Sequence, residues 1–79
     1  MEIFSGKKLK RERIKRGLSF GEFALLLSVY EKKAAKGHVW SWESGKAKPN
    51  SRHLMAISKV LGIEPNYLFE GSGGAKKKA

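Results

Sequence analysis

The chain has no cysteine, no aspartate, and no apolar run longer than the five residues Phe23–Leu27. Each absence closes a route. Without cysteine neither a disulfide nor a thiolate metal site can staple the core. Two histidines alone do not support a zinc-held fold. A membrane span needs about 20 consecutive apolar residues, and nothing here approaches that. The start of the sequence carries acidic Glu2 and no apolar signal core, so a cytoplasmic protein without an export signal is expected. Catalysis finds no foothold either: acids are few, the histidines lie fifteen positions apart, and Gly71–Gly74 precede no helix that could cradle a phosphate. The expectation is a protein that is not an enzyme and binds neither metal nor cofactor.

What is abundant is positive charge. Seventeen Lys and Arg oppose seven Glu, giving +10. Setting aside the tail lysines Lys76, Lys77 and Lys78 still leaves +7. Such a surface calls for a polyanionic partner, nucleic acid before an anionic membrane. At 79 residues there is room for one domain, and chains of this size bury only about 60% of their unfolded surface. Packed helices are the economical way to do so.

Helix signals follow one another along the chain. Ser5 is a candidate N-cap and Gly17 a candidate stop for a first helix, with Leu9 and Ile14 as its apolar points. Arg13 lies four residues after Leu9 and shares its face, so a cation on the inward side needs a partner. Ser19-Phe20-Gly21-Glu22 is a capping box, flanked by Leu18 and Phe23 as a hydrophobic staple. It opens a second helix from Ser19 or Phe20 to about Ser28, with Phe20, Phe23, Ala24 and Leu27 on one face. Tyr30 to His38 is ambiguous: either a turn precedes a short helix starting near Gly37, or a longer helix runs through. Val39 and Trp42 are spaced to point inward together, and Gly45 ends that helix. A further helix starts after Asn50 or Ser51, carries Leu54, Ile57 and Leu61, and stops at Gly62. Pro65 suits a short final turn in which Tyr67, Leu68 and Phe69 close the core. Residues 1–70 form the domain, and 71–79 read as a disordered basic tail.

The order Arg13-Ile14-Lys15-Arg16-Gly17-Leu18-Ser19, Phe23-Ala24 and Val39-Trp40-Ser41-Trp42-Glu43-Ser44-Gly45-Lys46-Ala47-Lys48-Pro49 resembles the phage-repressor and Cro type of helix-turn-helix domain. The stretch from Leu54 to Ile63 is similar to that family's fourth helix. The resemblance implies an all-α, compact four- to five-helix bundle whose third helix enters the DNA major groove. Carried over by position, Lys36, Gly37, His38 and Ser41 fall where the family reads base edges, with Trp40 beside them. Ser44, Lys46 and Lys48 match its phosphate-contacting loop. Arg13 and Glu43 match a pair that ties the first helix to the third.

The sequence departs from the family in two places. The connection before Val39 is longer by roughly five residues than the usual helix-turn-helix spacing, the extra ones lying within Tyr30–Ala35. Phe20 stands where the family often has a phosphate-binding Gln. Lys32 and Lys33 crowd the inserted stretch and are candidate phosphate contacts; of the first helix's cations only Lys7, Lys8 and Lys10 are placed to reach one. Trp42 is assigned to the core. Trp40, turned about 100° away, is expected to lie partly outside, packing on the insertion or touching a thymine methyl or a sugar.

The resulting expectation is sequence-specific binding to double-stranded DNA by a transcriptional regulator such as a repressor, as a homodimer on DNA. The rivals are an antitoxin or adaptor module that binds protein, and a non-specific nucleic-acid binder.

Overall fold

The computed structural model describes residues 2–71; of the tail expected over 71–79, Gly71 instead lies in a short strand, and 72–79 fall outside the described residues. Helix α1 (Gly6–Lys15) begins where the Ser5 side chain accepts the Lys8 amide, at 3.2 Å. At its far end the Leu18 and Gly17 amides turn back onto the Arg13 and Ile14 carbonyls, at 3.2 and 2.8 Å, the double closure that stops a helix with its last carbonyls satisfied. Helix α2 (Phe20–Leu27) follows at once, opened by the capping box: Glu22 N–H donates to Ser19 Oγ, and Ser19 N–H to Glu22 Oε1.

Helix α3 (Lys36–Ser44) starts only at Lys36, so Tyr30–Ala35 is a turn and not an N-terminal extension of α3. The turn is closed by Glu31 N–H on the Leu27 carbonyl (2.8 Å) and Ala34 N–H on the Glu31 carbonyl (3.1 Å). Gly45 ends α3 at φ +84°, with the Lys46 amide donating back to the Ser41 carbonyl at 2.9 Å. Side chains rarely adopt that backbone conformation. Helix α4 (Ser51–Leu61) is capped by Asn50, whose Oδ1 accepts the His53 amide at 2.8 Å. A 3-10 turn over Pro65–Leu68 completes the helical part.

Strands β1 (Glu2–Phe4) and β2 (Phe69–Gly71) add an element the sequence reading lacked. They pair antiparallel, Ile3 opposite Glu70 and Phe4 opposite Phe69, whose rings meet edge to face at 5.7 Å. Three-residue strands carry too little alternation to be read from sequence.

The core is Leu9, Phe23, Ala24, Leu27, Val39, Trp42, Ala56, Ile57, Leu61 and Leu68, drawn from every helix and the final turn. Two expectations change. Ile14 is 55% exposed, because Arg13 takes the inward place beside Leu9. Of the three residues meant to close the core only Leu68 is fully inside; Tyr67 is exposed and Phe69 belongs to the sheet.

Candidate nucleic-acid interface

Helix α3 turns two opposite faces to two environments. Val39 and Trp42 point into the core, 0% and 2% exposed. At 100° per residue the opposite face carries Gly37, Trp40, Ser41 and Ser44, of which Ser41 is half-buried and the rest exposed. Lys36 and His38, both exposed, flank this face on either side. Of the five residues expected at base edges, Lys36, Gly37, Trp40 and Ser41 lie on or beside this outward strip, whereas His38, though exposed, turns its ring toward Trp42 and His53.

What fixes the strip is the Arg13–Glu43 pair. Arg13 Nε and one terminal nitrogen donate to the two Glu43 oxygens at 2.6 and 3.0 Å, a fork geometry, with both side chains under a tenth exposed. The other terminal nitrogen donates to the Leu18 carbonyl at 2.6 Å. One guanidinium thus clamps α1, the α1–α2 corner and the end of α3, and bidentate pairing gives it direction as well as strength. Its flat side lies 4.4 Å from the Phe20 ring centre, which explains an aromatic residue at the first position of α2. The backbones also touch: a Cβ on Gly6 would meet the Trp42 carbonyl oxygen and come within 2.6 Å of that of Glu43. Only glycine lets α1 start so near the end of α3.

Trp40 is 47% exposed and borders a hollow of about 140 Å³ with Lys10, Phe20, Glu43 and Ser44. Lys46 Nζ stands 5.3 Å above its ring. The indole is therefore placed toward α1, α2 and the loop after α3. Ser44 Oγ donates to the Ser41 carbonyl at 3.2 Å, so it must rotate to donate elsewhere. Lys32, Lys33 and Lys48 are exposed. Lys8 is engaged, donating to the Phe69 carbonyl at 3.3 Å and lying over Tyr67. Lys10 thus becomes the α1 cation that shares a hollow with the outward strip.

The first turn of α2 is closed to anions by its own carboxylate. The Ser19 backbone N–H, and then its hydroxyl, hold Glu22 below the usual carboxylate range. The N-terminal donors that could meet a phosphate are thus partly occupied and guarded by a negative charge.

Two polar residues central to the architecture were absent from the sequence reading. Glu12 is 3% exposed and takes bonds from Arg16 (2.7 Å), Tyr67 (3.2 Å) and Lys15 (3.5 Å). Arg16 also reaches the Leu61 carbonyl at 2.7 Å, linking α1 to the end of α4. The Arg16 bond, chiefly, lowers the Glu12 pKa against the opposing effect of burial. His53, 8% exposed, packs on Trp42 and His38 with ring centres 5.0 and 5.2 Å away. Its spacing on α4 gave no hint, since a histidine on an apolar face reads as an ordinary core residue.

Neither protein-family models nor curated proteins give a match to this chain. Solved structures do. The P22 c2 repressor, in complex with synthetic operator 9T in the presence of Tl+, matches with a TM-score of 0.73 at 23% identity, over 84% of this chain and 92% of that one. The fold is that of a phage-repressor helix-turn-helix domain. In this helix-turn-helix α2 and α3 are the paired helices, and the lengthened turn is the Tyr30–Ala35 loop between them. Among the described residues no helix is long and apolar enough to cross a membrane.

Proposed function

We propose that the chain binds double-stranded DNA sequence-specifically and acts in the cytoplasm as a transcriptional regulator, without catalysis. The observation that carries the reading is the outward strip of α3, held by the Arg13–Glu43 clamp and bordered by exposed cations. The P22 c2 repressor, of the same fold, was solved on an operator, which supports it. Lys36, Gly37, His38, Trp40 and Ser41 face base edges; Lys is suited to the guanine acceptors. Gly37 offers backbone alone, so a base or sugar can come close there. Lys32, Lys33, Ser44, Lys46 and Lys48 hold phosphates, and Lys10 joins them from α1. Two copies occupy half-sites one helical turn apart.

Selection from a random-sequence duplex pool tests this. The expected result is one enriched half-site, usually repeated at about 10 base pairs, with affinity falling steeply as salt rises. The adaptor reading draws on a separate observation: Leu25, Leu26, Val29 and Tyr30 at the end of α2 are 42–73% exposed. A shallow salt slope with no enriched site would favour that reading and sink the first.

A further inference from the structure

The first turn of α3 is held by an unusual group. The Ala35 N–H at the head of the helix donates to Nδ1 of His38, three residues on, at 3.2 Å. This is the place a Glu or Gln takes in a capping box. The imidazole does not swing freely: it stacks on Trp42 at 5.9 Å and 23°, and lies 5.2 Å from His53. Ala35 itself has no side chain that could cap the helix. Beside the His38 and Val39 amides on the Ala35 carbonyl, at 2.9 and 3.3 Å, the one side-chain latch on this turn is thus a nitrogen lone pair on a titratable ring.

We propose that His38 is a positioning residue, holding the reading end of α3 through Nδ1 against the Trp42–His53 surface, and that its protonation releases this hold. The chemistry is simple. A neutral ring with its proton on Nε2 can accept at Nδ1, whereas the imidazolium carries N–H on both nitrogens and accepts nothing. Proton uptake therefore turns an acceptor facing an N–H into a second donor facing the same N–H. The surroundings resist a second charge. His53 is buried, its Nε2 has no hydrogen-bond partner, and burial, then the neighbouring His38, push its pKa down while Glu31 from the turn acts in the opposite sense. Glu31 and His38 are the titratable groups that bear on His53. A charged His38 has Glu31 of the turn as the nearby carboxylate and the Trp42 face beside it, but neither restores the acceptor that the Ala35 N–H loses.

The functional consequence rests on the DNA reading above; the latch itself does not. Proton uptake adds a positive charge, which strengthens attraction to any phosphate chain, so raw affinity is an ambiguous measure. The ratio of affinities for a selected site and a random duplex cancels that effect, because both present the same phosphates. Loosening the reading helix lowers the ratio.

The test begins with the free chain. At about pH 8 ring-nitrogen NMR should show the Nε2–H tautomer at His38. On titration to about pH 5.5 the Ala35 amide should shift with the His38 ring, and its exchange protection relative to Ile57 should fall about fivefold, the size of a missing helix cap. The H38Q variant, which keeps an acceptor and has no titrating proton, should give a flat Ala35 trace. The opposite tautomer, or identical Ala35 traces in parent and variant, overturns the latch. If H38Q does not fold, the tautomer and the parent titration decide alone. The site-to-random ratio for the parent should fall about fivefold over the same range. A constant ratio with an opening latch overturns the positioning role. Absence of site preference at every pH instead defeats the DNA reading, and the free-chain titration still decides the latch.

Discussion

Single residues carry the tightest constraints on this fold. Arg13 is nearly buried and spends its donors on Glu43 and on the Leu18 carbonyl. Removing the carboxylate strands a desolvated cation, and such orphaned charges cost about 3–5 kcal/mol. Urea denaturation of Glu43→Ala should show a loss of that size, and a variant as stable as the parent would count against the clamp. Glu12 makes a prediction about acid. Its pKa in the folded chain is lowered, so its contribution is full above the unfolded value of about 4.3 and is lost as pH falls through the folded value. Glu12→Gln should be less stable than the parent at neutral pH, and the gap should close as the solution is acidified below about pH 4. A gap that persists unchanged in acid, measured by denaturation at several pH values, would show that the loss does not come from the ionised carboxylate.

At the scale of elements, what the sequence makes legible is whatever is local. Ser5, the Ser19–Glu22 box, Gly17, Gly45 and Gly62 each act within one turn, and the helix ends they imply are where the structure puts them. The Tyr30–Ala35 stretch was undecidable because its helix propensity is fair while its structure is set by what Ala34 and Tyr30 pack against. Ala34 rests on the core and Tyr30 lies under Lys59 of α4, at 5.4 Å. These are neighbours distant in sequence. Gly6 and His53 escaped notice for the same reason, their partners being Trp42 and His38; Glu12 pairs with Arg16 one turn away, and it is its burial and its Tyr67 bond that depend on distant parts of the chain. The turn also yields a prediction. Lys32 and Lys33 are exposed beside the start of α3, and removing one lysine–phosphate pairing should reduce the salt slope of log K by about 0.9. Replacing both by Ala should weaken binding to all duplexes alike and flatten that slope by up to about twice this amount. An unchanged slope would assign these lysines to solvation alone.

For the molecule as a whole, the formal charge of +10 and the single small core set the terms. No Cys is present to cross-link it, and among the described residues no group of three or more metal-binding side chains is present. Among the described residues the core is ten buried apolar residues, joined by the buried Arg13–Glu43 pair and by buried Glu12 with its more exposed partner Arg16. The residues proposed to face bases were legible as positions only. Sequence order located Lys36 to Ser41, but it took the packing of Val39 and Trp42 to say which of them look outward, and the rings around His38 to give that residue a second task.

The small β1–β2 ribbon has a topological consequence. By placing Glu2 opposite Gly71 it brings the two edges of the domain together on neighbouring strands. A short flexible splice could close the polypeptide into a ring there, and a new opening cut into the exposed turn at Lys32–Lys33 would leave every helix whole. Such a rewired chain keeps all its tertiary packing while the α2–α3 connection, the part that differs from ordinary helix-turn-helix domains, becomes a pair of free ends. Whether α3 still finds its seat would then reveal how much of its placement comes from the covalent link and how much from the Arg13–Glu43 clamp.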